Sequence, residues 1–492
     1  MLCFVNVHNL HRTAREVVAS FQRTTAAFGI ESVPGLNVIE PEPEPVPQST
    51  TTTATIDRRR FLADCRQAEK HGGRSAYATT ILNYDGNRLS LDSTDGDSML
   101  SQTVDFESID GPPAVVVVPV KKLVSMLAKF NDKETRVSIV CHPAEGSAAV
   151  VLNVDGGEFE IPAELGTGAG PTAERVEKVF AFFRAEFPAE FATITTAGEL
   201  ADAFTRCRES CDTDSTRYAL NGFRIEPAPD RLAVVSTDYR RLTVRNVPAT
   251  TAGTFPTVKV GTLLSYVAPE ELGFIFPRSS AERVLEGLKR VPDRSAVAVA
   301  AHYQTRIVPT GNLDDTITEN VVFLSPLSVV IECTDDSGTR FSIRSKVVEG
   351  RFPRYADVIP KTGNVSAVAD RKKLLQAITT AAAVCSEEYR GLDIVIVNET
   401  GSGELRAESP ENGKSRVKFE WSIEGGTVAA AMAEDSAEFK ITVDPSYIVD
   451  YLKTSTAERV AFSFVDSDTC VVVREENTAA GCFVVMPLSN RE

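Results

Sequence analysis

The stretch TAGELADAFTRCRES (196–210), together with YALNGFRIEPAPDRLAVVSTDYRRLTV (218–244), decides the fold. In its first part, apolar residues recur at the three- and four-residue spacing of an amphipathic helix. In its second part, two runs of alternating apolar residues flank the turn PAPD, which predicts a β-hairpin. The chain therefore contains a unit in which a helix precedes antiparallel strands.

This unit occurs three times along the chain. The segments DRRRFLADCRQAEKH (57–71) and DRKKLLQAITTAAAVCS (370–386) also predict amphipathic helices that precede strand-like runs. A second helix is predicted in each copy, at 118–130, 276–290 and 443–453. The repeat length of roughly 130–175 residues is that of a domain, so we predict three similar domains rather than a solenoid. Three unrelated α+β domains would be the alternative.

The predicted fold class is α+β, and a linker precedes the repeats. Pro and Glu followed by Thr in PEPEPVPQSTTTTAT (41–55) are typical of an extended linker, and an amphipathic helix is predicted before it, around 10–28. The predicted segments are 1–52 as N-terminal extension and linker, 53–188 as the first domain, 189–361 as the second domain with an insert near 303–325, and 362–492 as the third domain.

Composition limits the class of protein. Of the 492 residues, 42% are hydrophobic and 24% are charged, which are the proportions of a globular protein. No apolar run approaches the roughly 20 residues of a membrane-spanning helix, and the N-terminus lacks the apolar core of a secretory signal. We therefore predict no membrane partner. The nine cysteines include no CxxC pair, which predicts reduced thiols and a cytoplasmic location.

Charge is distributed unevenly between the helices and the rest of the chain. Counted over 57–71, 120–133, 198–211, 277–291, 370–386 and 444–454, the six predicted helices hold 19 Lys and Arg against 12 Asp and Glu, whereas the whole chain has 52 against 68 and a net charge of −16. Such sorting can arise by chance, because solvent-facing lysines are common on helices. The alternative interpretation is a basic lining of helices that faces a polyanion and binds phosphates in a salt-dependent manner.

Four motifs resemble those of the bacterial DNA polymerase III β subunit, the sliding clamp. They are DTDSTRYALNGFRIE (212–226), STDYRRL (236–242), VVEGRFPRYADVIPK (347–361) and FVVMPL (483–488), in the order of that family. The resemblance covers about residues 53–488 and is loosest in the first repeat. It implies a ring-forming DNA clamp fold, with three domains that each have two inner helices and outer antiparallel sheets. It also implies a head-to-tail homodimer that encircles double-stranded DNA without sequence preference.

The resemblance implies a hydrophobic cleft beside the C-terminus that binds short linear motifs of the DNA polymerase III α subunit and the clamp-loader δ subunit. Its predicted residues are Leu220, Thr237, Tyr239, Arg240, Arg241, Leu242, Pro353, Asp357, Val358, Val484, Val485, Met486, Pro487 and Leu488. The sequence departs from the family pattern in three places. Tyr239 and Arg240 stand where the family usually has Gly-His, Asp357 stands where it often has Arg, and the residues after Pro487 differ.

The resemblance also implies DNA contacts and a dimer interface. The candidate DNA contacts are Arg74, Lys121, Lys122, Arg217, Tyr218, Arg371, Lys372 and Lys373. Of these, Arg74, Arg217 and Tyr218 follow family position. The others, Lys121, Lys122 and the cluster Arg371–Lys373, lie on helices predicted to form the lining. The candidate interface residues are Val384 and Cys385, at the end of the helix 370–386, which would pack against the first domain of a second chain.

Other chemistry has little support in the sequence. There is no P-loop, HExxH or GxSxG motif, and DSTDGDSM (92–99) lacks the last glutamate of a calcium loop and predicts a turn. Asp212, Asp214, His142 and His302 stand apart from catalytic or metal-binding partners. We therefore predict no catalytic residues, no metal and no cofactor.

Three classes of function remain. The first is a processivity clamp on DNA. The second is a clamp-like paralogue that acts as a peptide-binding scaffold without a replicative role. The third is an enzyme built on repeated α+β domains. A basic helical lining favours the first class over the second.

Overall fold

A computed structural model describes residues 50–488 of the chain with short gaps. The gaps are 73–78, 131–133, 143–145, 155, 167–190, 215, 256, 261–262, 267–268, 311–318, 398, 434–435 and 477–479. Arg74 and the helix predicted around 10–28 lie outside the described residues. Within the described part, no helix has both the length and the apolar character needed to cross a membrane.

The helices occur in pairs, and the pairs match the predicted repeat. The helical segments are α1 Arg58–Gly72, α2 Val120–Leu127, α3 Ala197–Ser210, α4 Pro269–Leu272, α5 Arg278–Leu288, α6 Arg371–Ala381, α7 Val428–Ala431 and α8 Pro445–Thr454, with 3-10 turns at Tyr355–Val358 and Ala382–Val384. Helix α1 packs on α2, α3 on α5, and α6 on α8. Each of the six predicted helices is therefore present, with ends that differ by a few residues.

The strands fall into the same three groups. The first group is β1 Thr50–Asp57, β2 Thr79–Tyr84, β3 Leu89–Thr94, β4 Ser98–Thr103, β5 Ser108–Asp110, β6 Ala114–Pro119, β7 Glu134–His142, β8 Ser147–Val154 and β9 Gly157–Leu165. The second is β10 Phe191–Thr196, β11 Gly222–Pro227, β12 Arg231–Thr237, β13 Arg241–Pro248, β14 Thr250–Gly253, β15 Thr257–Val260, β16 Leu263–Tyr266, β17 Phe274–Pro277, β18 Ala296–Thr310, β19 Glu319–Asp335 and β20 Gly338–Lys346. The third is β21 Val365–Asp370, β22 Leu392–Ile396, β23 Ser402–Ser409, β24 Gly413–Glu420, β25 Ser422–Gly426, β26 Phe439–Val443, β27 Arg459–Phe464, β28 Val471–Glu475 and β29 Gly481–Val485.

Two long sheets run across the repeats. The described strands form one sheet in the order β14-β10-β18-β19-β20-β4-β3-β2-β6-β9-β8-β7-β1-β5 and another in the order β17-β11-β12-β13-β29-β28-β27-β21-β25. A smaller sheet has the order β24-β23-β22-β26, and β15 pairs with β16. The insert predicted near 303–325 extends the β18–β19 hairpin, whose pairing continues to Thr310 opposite Glu319.

Each repeat has a hydrophobic core between its helix pair and its strands. Buried apolar residues cluster separately around Phe61 and Leu123, around Phe204 and Leu285, and around Leu374. The predicted α+β class is thereby confirmed, because each repeat packs its helix pair against antiparallel strands. The exact domain boundaries stay a prediction.

An arginine at the start of one helix binds the C-terminal end of its partner helix in every repeat. Arg58 donates to the carbonyl of Leu127 at 2.8 Å, and Arg278 donates to that of Cys211 at 3.2 Å. Arg371 donates to the carbonyls of Leu452 at 2.9 Å and Ala457 at 2.7 Å. The last carbonyls of a helix lack intrahelical partners and carry partial negative charge, so a guanidinium there stabilises the helix pair.

Neighbouring repeats are joined by two β-seams. In the first seam, β4 of the first repeat pairs with β20 of the second, with Leu100 opposite Ile343. In the second seam, β13 of the second repeat pairs with β29 of the third, with Leu242 opposite Val484. In both seams, the third strand after the first helix of one repeat pairs with the last strand of the next repeat.

Candidate functional site

The second seam carries an apolar cluster on the face that points away from the helices. Its buried members are Val235, Leu242, Val244, Ile275, Phe352, Cys470, Val472 and Val484. Side chains alternate along a strand, so Phe483 points to the helix side, where its ring stacks on Tyr451 with centroids 4.8 Å apart. We call the surface above this cluster the outer cleft.

The segment 347–361 crosses the cluster and forms one side of the outer cleft. Phe352 is buried in the cluster and Pro353 is half-buried. The Tyr355 hydroxyl donates to Glu226 at 2.7 Å, and the Cys470 thiol donates to the carbonyl of Val358 at 3.2 Å. These contacts fix the segment while leaving the Val358 side chain 49% exposed, so Val358 forms part of the apolar rim rather than the floor.

The C-terminal residues form the other side of the cleft, and hydrogen bonds hold them to the second repeat and to their own, third repeat. The amide of Met486 donates to the carbonyl of Arg240 at 2.8 Å, and the amide of Leu488 donates to that of Thr442 at 2.8 Å. The Met486 side chain is 39% exposed at the rim. Val485 instead belongs to the helix-side core of the third repeat. Of the predicted residues at this end, Val484 and Met486 therefore face the outer cleft most directly.

The turn between β12 and β13 completes the rim. Tyr239 lies at its tip and is 63% exposed, whereas Leu220 and Thr237 are buried beneath. Arg241 donates to Asp238 at 3.0 Å and to Asp450 of the third repeat at 2.9 Å.

Both arginines of this turn also contact one aromatic ring of the third repeat. The guanidinium of Arg241 lies 4.4 Å above the centre of the Tyr447 ring. A hydrogen bond with Tyr447 raises the pKa of Arg240 above its ordinary value. These contacts tie the β12–β13 turn to α8 across the seam.

A buried ion cluster lies on the helix side of the same seam. Arg206 donates to Glu475 at 2.6 Å, and Arg245 donates to Asp202 at 2.7 Å. The Ser455 hydroxyl also donates to Glu475. Burial alone would raise the pKa of Glu475, but the Ser455 hydrogen bond and the charges of Arg206 and Arg245 outweigh it and lower that pKa.

Comparison with known proteins agrees with this arrangement. Residues 356–489 match the family described as DNA polymerase III beta subunit, C-terminal domain. A β sliding clamp of Pseudomonas putida KT2440 is 23% identical over 423 residues, which cover 84% of this chain and 91% of the relative. The Pseudomonas aeruginosa PAO1 clamp is 30% identical over 148 residues, which cover 30% of this chain and 37% of that clamp.

Solved structures share the fold. A sliding clamp of Pseudomonas aeruginosa bound to griselimycin superposes with a TM-score of 0.66 at 21% identity, covering 89% of this chain and 99% of that one. The DNA polymerase III β subunit of Thermotoga maritima gives 0.63 at 17% identity, covering 89% and 100%. The chain is a divergent member of the β sliding clamp family. Family membership was predicted from the motifs at 212–226, 236–242, 347–361 and 483–488, and it is confirmed.

The candidate DNA contacts of this clamp homologue occupy two helices and one loop. Lys121 and Lys122 are exposed on α2, and Lys372 and Lys373 are exposed on α6. Arg371 differs from them, because its guanidinium binds the carbonyls at the end of α8.

The loop candidates lie apart from these helices. Arg217 and Tyr218 are exposed beside the segment 347–361, and Arg217 lies 3.5 Å from Asp212. The role of each candidate in DNA binding stays a prediction.

The predicted interface residues already make contacts within their own repeat. Val384 and Cys385 are half-buried against the core of the third repeat, and Asn412 donates to the carbonyl of Val384 at 3.3 Å. Replacing either residue by lysine would perturb that core. A test of the interface therefore needs exposed residues, which the neighbouring strand β24 supplies.

The polar residues considered for other chemistry have structural roles or stand apart. Asp212 and Asp214 each accept a hydrogen bond from a backbone amide two residues on, and the amide of Thr216 lowers the pKa of Asp214. His142 ends β7, whereas His302 lies in β18. Within 92–99, residues 95–97 form the turn between β3 and β4, and the others belong to these two strands. Among the described residues, no three His, Cys, Asp or Glu side chains group so that they could hold a metal ion.

Proposed function

We propose that this chain is a DNA sliding clamp of DNA polymerase III. Two copies close head to tail around duplex DNA, and the outer cleft tethers the polymerase α subunit and the clamp-loader δ subunit. The role needs no catalysis and no cofactor, because a closed ring holds DNA by topology. It assigns the protein to the cytoplasm, where the bacterial chromosome lies.

The proposal rests on two strands. Among the described strands, these two lack the cross-repeat partner that their equivalents in the other repeats have. Strands β4 and β13 are the third strands after the first helices of their repeats and pair across the seams, and β24 is their equivalent in the third repeat. Strands β20 and β29 are last strands, and β9 is their equivalent in the first repeat. Among the described strands, β24 pairs only with β23, and β9 pairs with β8 and, through Glu164 and Leu165 alone, with β6.

Strands β24 and β9 carry opposite charges. Strand β24 is GKSRVKFE, with Lys414, Arg416 and Lys418 exposed, and β9 is GEFEIPAEL, with Glu158 and Glu160 exposed. Transferring the register of the internal seams brings Arg416 opposite Glu160 and Lys418 opposite Glu158. The same register puts half-buried side chains of both strands on one face, as a continuous sheet requires. Opposite charges across paired strands stabilise such a seam.

Helix α6, which lies beside β24, has an open groove at the position where the first helices of the other repeats contact their seams. The tenth residue of the first helix faces the seam in each repeat. In the first seam Gln67 accepts from Arg290 at 2.7 Å, and in the second Arg206 donates to Glu475 at 2.6 Å. The tenth residue of α6 is Thr380, which lines an open groove of about 570 Å³ between α6 and β24. A second copy of the first repeat would fill this groove.

The lysines of α2 should set the salt dependence of DNA binding. Each side chain that neutralises a phosphate contributes about one unit to the slope of log affinity against log salt. We expect Lys121→Ala with Lys122→Ala to lower this slope by about two units and to weaken loading onto primed circular DNA. The measurement is DNA retention at increasing salt.

The exposed pair Arg231→Ala with Lys440→Ala, outside the helical lining, the cleft and the proposed interface, is the matched control. An unchanged slope for the α2 variant would favour the alternative function, a peptide-binding scaffold without a replicative role. Arg371→Ala should act mainly on stability, because that guanidinium binds helix carbonyls.

The C-terminal end should be needed for peptide binding more than for folding. Deleting Met486–Glu492 removes the exposed Met486 rim but leaves β29 intact. We expect the truncated protein to stay folded and to lose roughly tenfold to a hundredfold in affinity for a peptide with Gln followed by an aromatic residue. Met486 suits this role because a thioether chain adapts to different ligands.

The affinities are measured by calorimetric titration of this peptide into wild type, the truncated protein and a third variant, Asp357→Arg. Asp357 is exposed at the cleft, so reversing its charge should improve binding of acidic peptides. Equal affinities of wild type, truncation and Asp357→Arg would remove the cleft from the proposed function.

A further inference from the structure

Tyr239 has a backbone conformation that suits its residue type poorly. Its φ angle is 71°, and among the described residues every other residue with positive φ is a glycine. In this region the Cβ atom of an L-residue approaches the following carbonyl oxygen, which glycine avoids. A large aromatic residue therefore destabilises the turn between β12 and β13 relative to glycine.

The neighbouring residues impose this conformation. The Asp238 carboxylate accepts from the amides of Arg240 at 3.0 Å and Arg241 at 2.9 Å. The Thr237 hydroxyl accepts from the amide of Tyr239 at 3.1 Å and donates to the carbonyl of Arg241 at 2.7 Å. The turn would keep its shape with glycine at its tip, so the tyrosine is not needed to form it.

The Tyr239 ring contributes little to the stability of the fold. It is 63% exposed, so burial of apolar area does not offset the unfavourable φ angle. Strained residues of this kind persist where an outside contact uses them. The ring has an apolar body and a polar hydroxyl, a combination that is frequent in binding surfaces.

The position of Tyr239 indicates what it contacts. The next residue, Arg240, accepts from the Met486 amide at the rim, and Leu242 lies in the floor. Exposed Tyr239, Val358 and Met486 thus surround one apolar floor. We propose that Tyr239 is a specificity-determining contact for the docked peptide, against which an aromatic side chain of the peptide packs beside its apolar anchor. This inference rests on the proposed peptide-binding function of the outer cleft.

The test compares Tyr239→Gly and Tyr239→Phe in the full chain. The probe is a fluorescein-labelled synthetic peptide with Gln followed by Leu and Phe, titrated by fluorescence anisotropy. We expect Tyr239→Gly to weaken binding by about tenfold while raising the urea midpoint of unfolding. Tyr239→Phe should keep the affinity within about twofold, because the ring remains. Tyr389→Ala, at an exposed tyrosine outside the cleft, should also leave the affinity unchanged.

Two results would overturn the proposal. One is wild-type affinity in Tyr239→Gly, which would show that the ring does not contact the peptide. The other is a lower urea midpoint in Tyr239→Gly, which would show that the ring serves the fold. Leu242→Ala separates this inference from the proposed function. If wild type and Leu242→Ala bind the probe equally, the cleft itself fails, whereas loss in Leu242→Ala alone contradicts only the role of Tyr239.

Discussion

Replacing Lys414, Arg416 and Lys418 by glutamate should convert the proposed dimer into monomers. The change sets glutamates of β24 against Glu158 and Glu160 of β9 in the second chain. Like charges brought together at an interface cost several kcal/mol, so the dissociation constant should rise by more than about a hundredfold. Light scattering should then give a mass near 53.3 kDa instead of about twice that value.

A second charge reversal provides the control for folding. Lys414 and Arg416 already lie near Glu408 and Glu404 of the neighbouring strand, at 2.8 and 3.3 Å, so reversal also perturbs β24 itself. Adding Glu158→Lys and Glu160→Lys to the same chain should restore the dimer. If the first variant stays dimeric, or if the second reversal fails to rescue it, the proposed pairing of β24 with β9 is wrong.

Glu475→Gln should be the most destabilising single change at the second seam. Gln at this position removes one of the two carboxylates that bind Arg206, whose side chain is only 2% exposed, and leaves Asp202 to pair with both Arg206 and Arg245. Breaking a buried ion pair from one side costs about 3–5 kcal/mol, and the remaining contact with Asp202 places the expected loss at the lower end of this range. Urea unfolding followed by circular dichroism should show this loss, and Glu411→Gln, at an exposed position in the turn after β23, should leave the free energy of unfolding unchanged.

The same substitution should alter the pH dependence of stability. The folded structure lowers the pKa of Glu475 below its ordinary value of 4.5. The ionised side chain therefore stabilises the fold above pH 4.5, and this contribution is lost as the pH falls through the lowered pKa. Wild type should lose more stability than Glu475→Gln between neutral and acidic pH. Parallel pH curves for the two proteins would contradict a charged, paired Glu475.

Local periodicity was sufficient to predict the helices and hairpins. The helix predicted at 57–71 is observed at Arg58–Gly72, and that predicted at 370–386 is α6 followed by a 3-10 turn that ends at Val384. These elements bury one face along their own length, so neighbouring residues in the sequence carry the signal. The outer cleft consists of segments near 240, 355 and 485. Only the family resemblance predicts that these distant segments lie together.

Contacts between distant residues could not be predicted from the sequence. Arg206 and Glu475 are 269 positions apart, and each resembles an ordinary surface charge in its own segment. Arg371 was assigned to the basic lining because it precedes two lysines, yet its guanidinium binds the end of α8. Sequence spacing gives the charge of such a residue, whereas the direction of its side chain depends on packing between helices.

The path of the last residues determines how a mechanical load on the cleft would spread. A partner that pulls on Met486 pulls on a segment whose backbone is bonded to Arg240 of the second repeat and, two residues later, to Thr442 of the third. Behind it, β29 is hydrogen-bonded on one side to β13 and on the other to β28. A force along this strand acts on both rows of hydrogen bonds at once, so they rupture together rather than one by one. A moving enzyme tethered at this end would therefore drag two repeats as a single body instead of peeling the terminus away.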